Sequence, residues 1–263
     1  MSEVKSHAPG AFCWIELNTC NVAAAKKFYG ELFDWQADDS QAGPDMVYTM
    51  LKMRGMEVGA MCELQKEQKE QNVPPHWMSY IAVKSADEAA HKAEALGGVV
   101  LAGAFDVMDA GRMAIIQDPL GAHFCVWQAR DNVGFQLAGE NGTFVWDELW
   151  TTDRTKATAF YSGLFGWGAK ESAAGVPGGY TEWQNASQSI GGMMELTPEM
   201  GPIPSNWLPY FMVDDCNATA AKAVQVGGKL VMPPTDIPNV GRFSVIQDLQ
   251  GATFAVIKLL PRE

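Results

Sequence analysis

The chain has 263 residues, with 31 acidic side chains against 19 basic ones and a formal net charge of −12. That excess of negative charge argues against nucleic acid and anionic membranes as partners, since both demand a positive face. No apolar run approaches the ~20 residues of a membrane-spanning helix, the opening MSEVKSHAPG carries no apolar leader, and five cysteines without a CxxC pair point to reduced thiols in a cytoplasmic setting.

In chain order, residues 12–18 alternate as a strand, with Trp14 and Glu16 on one face and Ile15 and Leu17 on the other. Asn21 is placed to cap a helix in which Val22, Ala25, Phe28, Tyr29, Leu32 and Phe33 recur at helical spacing. Strands fit near 46–53 and 57–63, and the polar stretch 65–75 reads as a surface loop. A strand over 77–84 follows, then a helix over 86–96 ended by Gly97 and Gly98. Strands near 98–102, 112–117 and 122–128 complete the run, the last two separated by a turn at 118–121. Residues 130–142 read as a linker, and the programme then starts again. FCWIELNT with KKFYGELFDW (12–35) recurs as FVWDELWT with TAFYSGLFGW (144–167), and GRMAIIQDPLGAHF (111–124) recurs as GRFSVIQDLQGATF (241–254). The sequence therefore predicts two domains, 1–129 and 143–263, each holding two β-α-β-β-β units.

The FYxxLFGW helix and the closing QDPxGAxFxxWQ strand resemble the vicinal oxygen chelate superfamily of glyoxalases, bleomycin-resistance proteins and extradiol dioxygenases. Within it the chain is most similar to tandem glyoxalase-like proteins often labelled hydroxylases. The resemblance implies an α+β fold of two glyoxalase-like domains. Each would hold two βαβββ modules in a curled mixed sheet, four modules in total, with the sheet forming a cup for a small molecule and usually a divalent metal. It also implies where metal ligands would stand: Trp14 and Trp146 on the first strand, Met78 and Leu208 on the strand opening the second unit, Cys125 and Ala255 on the last strand, and the neighbourhood of Met61 and Met193. None of these is an imidazole or a carboxylate, so the resemblance implies no cofactor at those positions. A divergent site from Glu16, His76 and His123 is the open alternative, because the second copy has no histidine at all.

Glu16 and Glu148 are the polar residues to explain. Each lies two residues after a tryptophan on an otherwise apolar strand face, where an unpaired carboxylate is costly. Each is a candidate general base or ligand anchor, or a structural hydrogen-bonding group. Tyr80 and Tyr210 are expected on the same inward face, with His76, its counterpart Asn206, and His123 nearby. Arg112 and Arg242 are candidate counter-charges for an anionic ligand or for the glutamates. Trp14, Trp146, Trp77, Trp207, Met61 and Met193 would line a cup for a flat apolar or aromatic molecule, each with plain core packing as the alternative. No Walker loop, GxGxxG, HExxH or GxSxG occurs. Three functions remain open: metal-independent binding of a small molecule, a lyase or isomerase acting on a carbonyl compound through a glutamate base, and a metal-dependent hydroxylase or dioxygenase. Fused copies can satisfy each other as a monomer, and a homodimer is the alternative.

Overall fold

A computed structural model describes residues 4–43, 46–172 and 179–261. The first half runs β1 (Phe12–Thr19), α1 (Val22–Phe33), β2 (Gln36–Gly43), β3 (Met46–Met53) and β4 (Met56–Glu63). After a short helix α2 (Lys66–Glu70) it continues as β5 (His76–Ala82), α3 (Ala86–Ala95), β6 (Val99–Val107), β7 (Gly111–Gln117) and β8 (His123–Ala129). The second half repeats this as β9 (Phe144–Thr151), α4 (Arg154–Phe165), β10 (Gly168–Glu171), β11 (Tyr180–Asn185) and β12 (Gln188–Glu195). Then come β13 (Asn206–Met212), α5 (Cys216–Gln225), β14 (Lys229–Ile237), β15 (Gly241–Gln247) and β16 (Thr253–Leu259).

Each half forms one eight-stranded mixed sheet, ordered β2-β3-β4-β1-β5-β8-β7-β6 and β10-β11-β12-β9-β13-β16-β15-β14. The fold is α+β, with two βαβββ modules in each sheet joined where β1 runs antiparallel to β5 and β9 to β13. One strand of the first half escapes the hydrophobic pattern. β2, QADDSQAG, is exposed along most of its length, so it shows no apolar alternation, and the acidic edge it offers discourages pairing with another chain. The 65–75 stretch is also more than loop, because Gln65 and Gln68 form a reciprocal cap that starts α2. β6 runs on to Val107, beyond the expected end near 102, its register broken by bulges.

Helix α1 begins where Asn21 accepts from the Ala24 N–H at 3.0 Å. It ends with Asp34 in the left-handed region at φ 62°, whereas α4 ends on Gly166 at φ 75°. A side chain in that region costs on the order of 1 kcal/mol, so Asp34→Gly is expected to raise stability by about that amount. A urea midpoint at or below that of the unaltered protein would contradict this.

The two sheets meet through their helix-bearing sides, and the contacts come in matched pairs. Tyr29 on α1 donates to Asp248 Oδ2 in the second half at 3.1 Å, and accepts from Trp77 Nε1. Tyr161 on α4 donates to Asp118 Oδ2 in the first half at 3.0 Å, and accepts from Trp207 Nε1. Each aspartate spends its other oxygen on backbone N–H groups of its own turn. The FY and QD sequence motifs are therefore two ends of one contact across the halves. The same exchange explains Gly98 and Gly228. A Cβ on Gly98 would sit 2.9 Å from the Phe160 ring of α4, and one on Gly228 would sit 3.0 Å from the Phe28 ring of α1.

Residues 130–142, expected to link the halves, are packed rather than loose. Phe135 and Leu137 are 1% and 2% exposed, and Phe135 stacks on Phe144 with ring centres 4.9 Å apart. Gly134, at φ 103°, lets this segment close on β1, since a Cβ there would fall 2.1 Å from the Cys13 carbonyl oxygen.

One group at this interface is anomalous. Asp147 on β9 stands where the first copy has Ile15, is 0% exposed, and faces Ser79 of the first half. Among the described residues neither of its carboxyl oxygens reaches hydrogen-bond geometry with a partner. Burial pushes its pKa up to about 8.

Candidate functional site

Strand register decides which side chains share the outward, cupped face of each sheet. Trp14 lies opposite Tyr80, Glu16 opposite Met78 and Asn18 opposite His76 across β1 and β5. On the other flank Asn18 is level with Cys62, which is level with Tyr48. Tyr80 is level with Cys125 on β8, and Met113 with Trp127. Period-two alternation therefore collects Trp14, Glu16, Asn18, Tyr48, Cys62, His76, Met78, Tyr80 and Cys125 on one concave face. The walls are apolar and aromatic, and the carboxyl of Glu16 stands among them.

Glu16 is half-buried. Asn18 Nδ2 donates to its Oε1 at 3.3 Å, and the Cys62 thiol approaches the same oxygen at 3.6 Å. Burial raises its pKa, opposed by hydrogen bonds from Tyr48, Cys62, Asn18 and Tyr80. Tyr48 is itself held by Trp14 Nε1 at 3.2 Å. At the rim, His76 Nδ1 lies 2.8 Å from the Pro74 carbonyl, which can only accept, so the proton is on Nδ1. Burial lowers the pKa of His76; burial and the neighbouring His76 lower that of His123. His123 Nε2 is 3.3 Å from the Gln117 side-chain amide.

The second cup repeats the carboxyl with different supports. Glu148 is 6% exposed and takes three hydrogen bonds: Trp150 Nε1 at 2.7 Å, Tyr180 OH at 2.7 Å and Tyr210 OH at 3.0 Å. Trp146 Nε1 donates to Tyr180 OH at 3.0 Å, as Trp14 does to Tyr48. Burial again raises the carboxyl pKa against these bonds. Asn206 sits at the rim and donates to the Pro204 carbonyl, the counterpart of the His76 contact.

The structure thus places Trp14, Glu16, His76 and Tyr80 on one face of the first half, with His123 exposed at the start of β8, and Trp146, Glu148, Asn206 and Tyr210 on the matching face of the other. Six of the residues expected at the cups lie elsewhere. Met61 pairs with Leu17 and Met193 with Leu149, which puts both on the interface side of the sheet, because a shift of one residue exchanges the faces. Arg112 is a surface clamp on Asp87 and Asp106 at 2.7–2.9 Å, and Arg242 binds Asn217 and Asp236. Trp77 and Trp207 lie under the sheets on Tyr29 and Tyr161. Sequence reasoning left Tyr48, Tyr180, Asn18, Cys62 and Trp150 without a role. Tyr48 and Tyr180 were visible as matched positions in the repeat, but nothing in the linear pattern fixes the strand register that turns them inward.

A divalent metal is what the fold family often holds, and these residues do not fit one. Among the described residues no three His, Cys, Asp or Glu side chains gather to hold a metal. The candidate set Glu16, His76 and His123 does not converge. Glu16 is taken up by Asn18 and Cys62, His76 spends Nδ1 on Pro74, and His123 Nε2 meets Gln117. The last-strand position that would supply a carboxylate holds Cys125, a buried thiol whose pKa is pushed up.

Duplicated βαβββ sheets, each curled around an inward carboxyl, define a tandem glyoxalase-like protein. Residues 14–127 match the model of a glyoxalase-like domain, and residues 143–256 match that of the glyoxalase/bleomycin resistance protein/dioxygenase superfamily. The chain belongs to this superfamily. It is 42% identical over 265 residues to the protein named "Putative glyoxylase CFP32" of Mycobacterium tuberculosis, covering 100% of this chain and 98% of that protein. It is 33% identical over 267 residues to anthracycline biosynthesis protein DnrV of Streptomyces peucetius, covering 96% of this chain and 94% of that protein. Among solved structures, the Mn(II)-bound glyoxalase from Novosphingobium aromaticivorans superposes with a TM-score of 0.66 at 15% identity, over 99% of this chain and 84% of that one. The 2,3-dioxygenase LapB from Pseudomonas sp. KL28 superposes with a TM-score of 0.64 at 10% identity, over 98% and 93%. At such identities these two show a common fold and nothing further. Among the described residues no helix is long and apolar enough to cross a membrane.

Proposed function

We propose that the protein binds a small, flat, largely apolar molecule bearing a carbonyl or hydroxyl group, without a metal, in the concave face of its sheet. The observation that carries this reading is the Glu16 carboxyl, flanked by Tyr48 and Tyr80 on a sheet face that it shares with Trp14 and Met78. Apolar walls supply the binding energy, and the carboxyl with its phenols fixes the polar end of the ligand. A relative named for anthracycline biosynthesis accords with an aromatic polycyclic ligand. With metal removed by EDTA, 1,8-dihydroxyanthraquinone at a hundredfold over its Kd is expected to stabilise the protein by about 3 kcal/mol in thermal unfolding. Stabilisation that appears only after adding a divalent metal would sink the reading.

One observation favours a second reading, a lyase or isomerase acting on a carbonyl compound. A glutamate whose pKa burial raises is a stronger base than an ordinary carboxylate, and two phenols beside it could steady a developing enolate. A relative named a glyoxylase accords with it. On this reading Glu16→Gln lowers kcat by about 10²–10⁴ with little change in stability. On the binding reading the same variant changes ligand affinity and there is no turnover to lose. A hydroxylase or dioxygenase built on a two-histidine, one-carboxylate metal gains no support from this donor set.

A further inference from the structure

The two cups began as copies, and the side chains that distinguish them are unevenly placed. Level with Asn206, the second cup carries Trp150 where the first carries Asn18 level with His76. Trp150 lies with Leu208, Tyr210 and Ala255 in an apolar cluster separate from the main core. The connection from β12 to β13 adds Leu196, Met200 and Ile203 to that cluster. It is tied by its own turns, Met200 N–H to the Thr197 carbonyl at 3.0 Å and Ile203 N–H to the Gly201 carbonyl at 2.9 Å, and anchored by Leu196 N–H on Thr151 at 2.7 Å. In the first half the same connection begins with the matching anchor, Leu64 N–H on the Thr19 carbonyl at 2.8 Å with Leu64 buried, but continues as α2, KEQKE, which buries none of its side chains. The carboxyls differ to match. Trp150 adds a donor at 2.7 Å to the two phenols on Glu148, whereas Glu16, beside its matching phenols Tyr48 and Tyr80, has instead an amide at 3.3 Å and a thiol at 3.6 Å.

Resting on the reading that the cups bind small molecules, we infer that the protein has one working site, the first cup, and that the second is filled from within by Trp150, Met200 and Ile203. The filled cup holds an internal substitute for a ligand. Its Glu148 is a structural hydrogen-bond hub, and Glu16 is the carboxyl that meets a ligand. Ligand class follows from the same contrast. The polar groups found only in the first cup, Asn18 and Cys62, with the imidazole of His76 where the second cup has the amide of Asn206, suit a molecule with several hydrogen-bonding groups on an aromatic frame.

The test is a fluorescence titration of the intact protein with the neutral dye N-phenyl-1-naphthylamine. Saturation at one dye per chain is expected. Asn18→Trp copies the second cup into the first and is expected to weaken binding at least tenfold while the protein still melts cooperatively. Cys62→Phe fills the same hollow from β4 and serves if Asn18→Trp does not fold. Met194→Phe, in the second cup, is expected to leave dye affinity unchanged. Two dyes per chain, undiminished affinity in a folded Asn18→Trp or Cys62→Phe protein, or loss of binding in Met194→Phe overturns the single-site inference alone. Failure of the unaltered protein to bind dye overturns the binding reading and this inference with it.

Discussion

Asp147→Asn is expected to stabilise the protein strongly at pH 8 and several-fold less at pH 5. The carboxyl lies at 0% exposure between the halves, and its pKa is raised from 3.8 to about 8. The folded protein therefore holds this proton more tightly than the unfolded chain does. Between those two values unfolding releases a proton, so the stability of the unaltered protein falls as pH rises, by about 1.4 kcal/mol per unit. By pH 8 the accumulated loss is up to about 5 kcal/mol, and above it the loss stays constant. Asparagine has the same shape and no charge to bury, and its amide can donate to Ser79. The half-buried Glu16 and the buried Glu148, Asp118 and Asp248 are shifted in the same direction. The diagnostic quantity is therefore the difference between variant and unaltered protein, measured by urea unfolding across pH 5 to 8. A difference that does not grow with pH would show that Asp147 is not the buried acid described.

Phe160→Ala and Phe28→Ala are each expected to cost about 3–5 kcal/mol. Both rings are fully buried, and each is lodged against a glycine of the other half, Gly98 for Phe160 and Gly228 for Phe28. Truncation leaves a cavity at the seam that neighbouring rings cannot fill without moving backbone. Thermal unfolding should remain a single transition at lower temperature, because the halves share one apolar core that includes Trp77, Phe211 and Phe254. Two separated transitions in either variant would mean that the halves fold independently, contrary to this packing.

The duplication, the strand β1, the helix α1 and the closing turn were legible because each carries strong local chemistry: alternation, a cap, a helical stripe of aromatics and an aspartate turn. The inward carboxyls were legible for the same reason, since period two fixes Glu16 relative to Trp14 whatever the neighbours do. β2 was not legible, because an exposed edge strand needs no apolar residues. Met61 and Met193 were assigned to the wrong face because facing depends on the pairing of β4 with β1, which no local pattern encodes. Arg112 looked like a counter-charge for Glu16, but its partners Asp87 and Asp106 become neighbours only once α3 and β6 are in place. Asp147 gave no sequence signal beyond breaking the repeat at the position of Ile15, and that break marked the one unpaired acid at the seam among the described residues.

The reciprocal lodging of α1 and α4 bears on history. A lone copy would leave its FY helix and its aspartate turn half-satisfied, and the simplest remedy is a symmetric partnership of two identical chains. Gene fusion turns that concentration-dependent encounter into a tethered one, so assembly no longer relies on abundance. Freed from identity, one half can shed recognition chemistry and serve as a scaffold, while its sibling keeps the pocket.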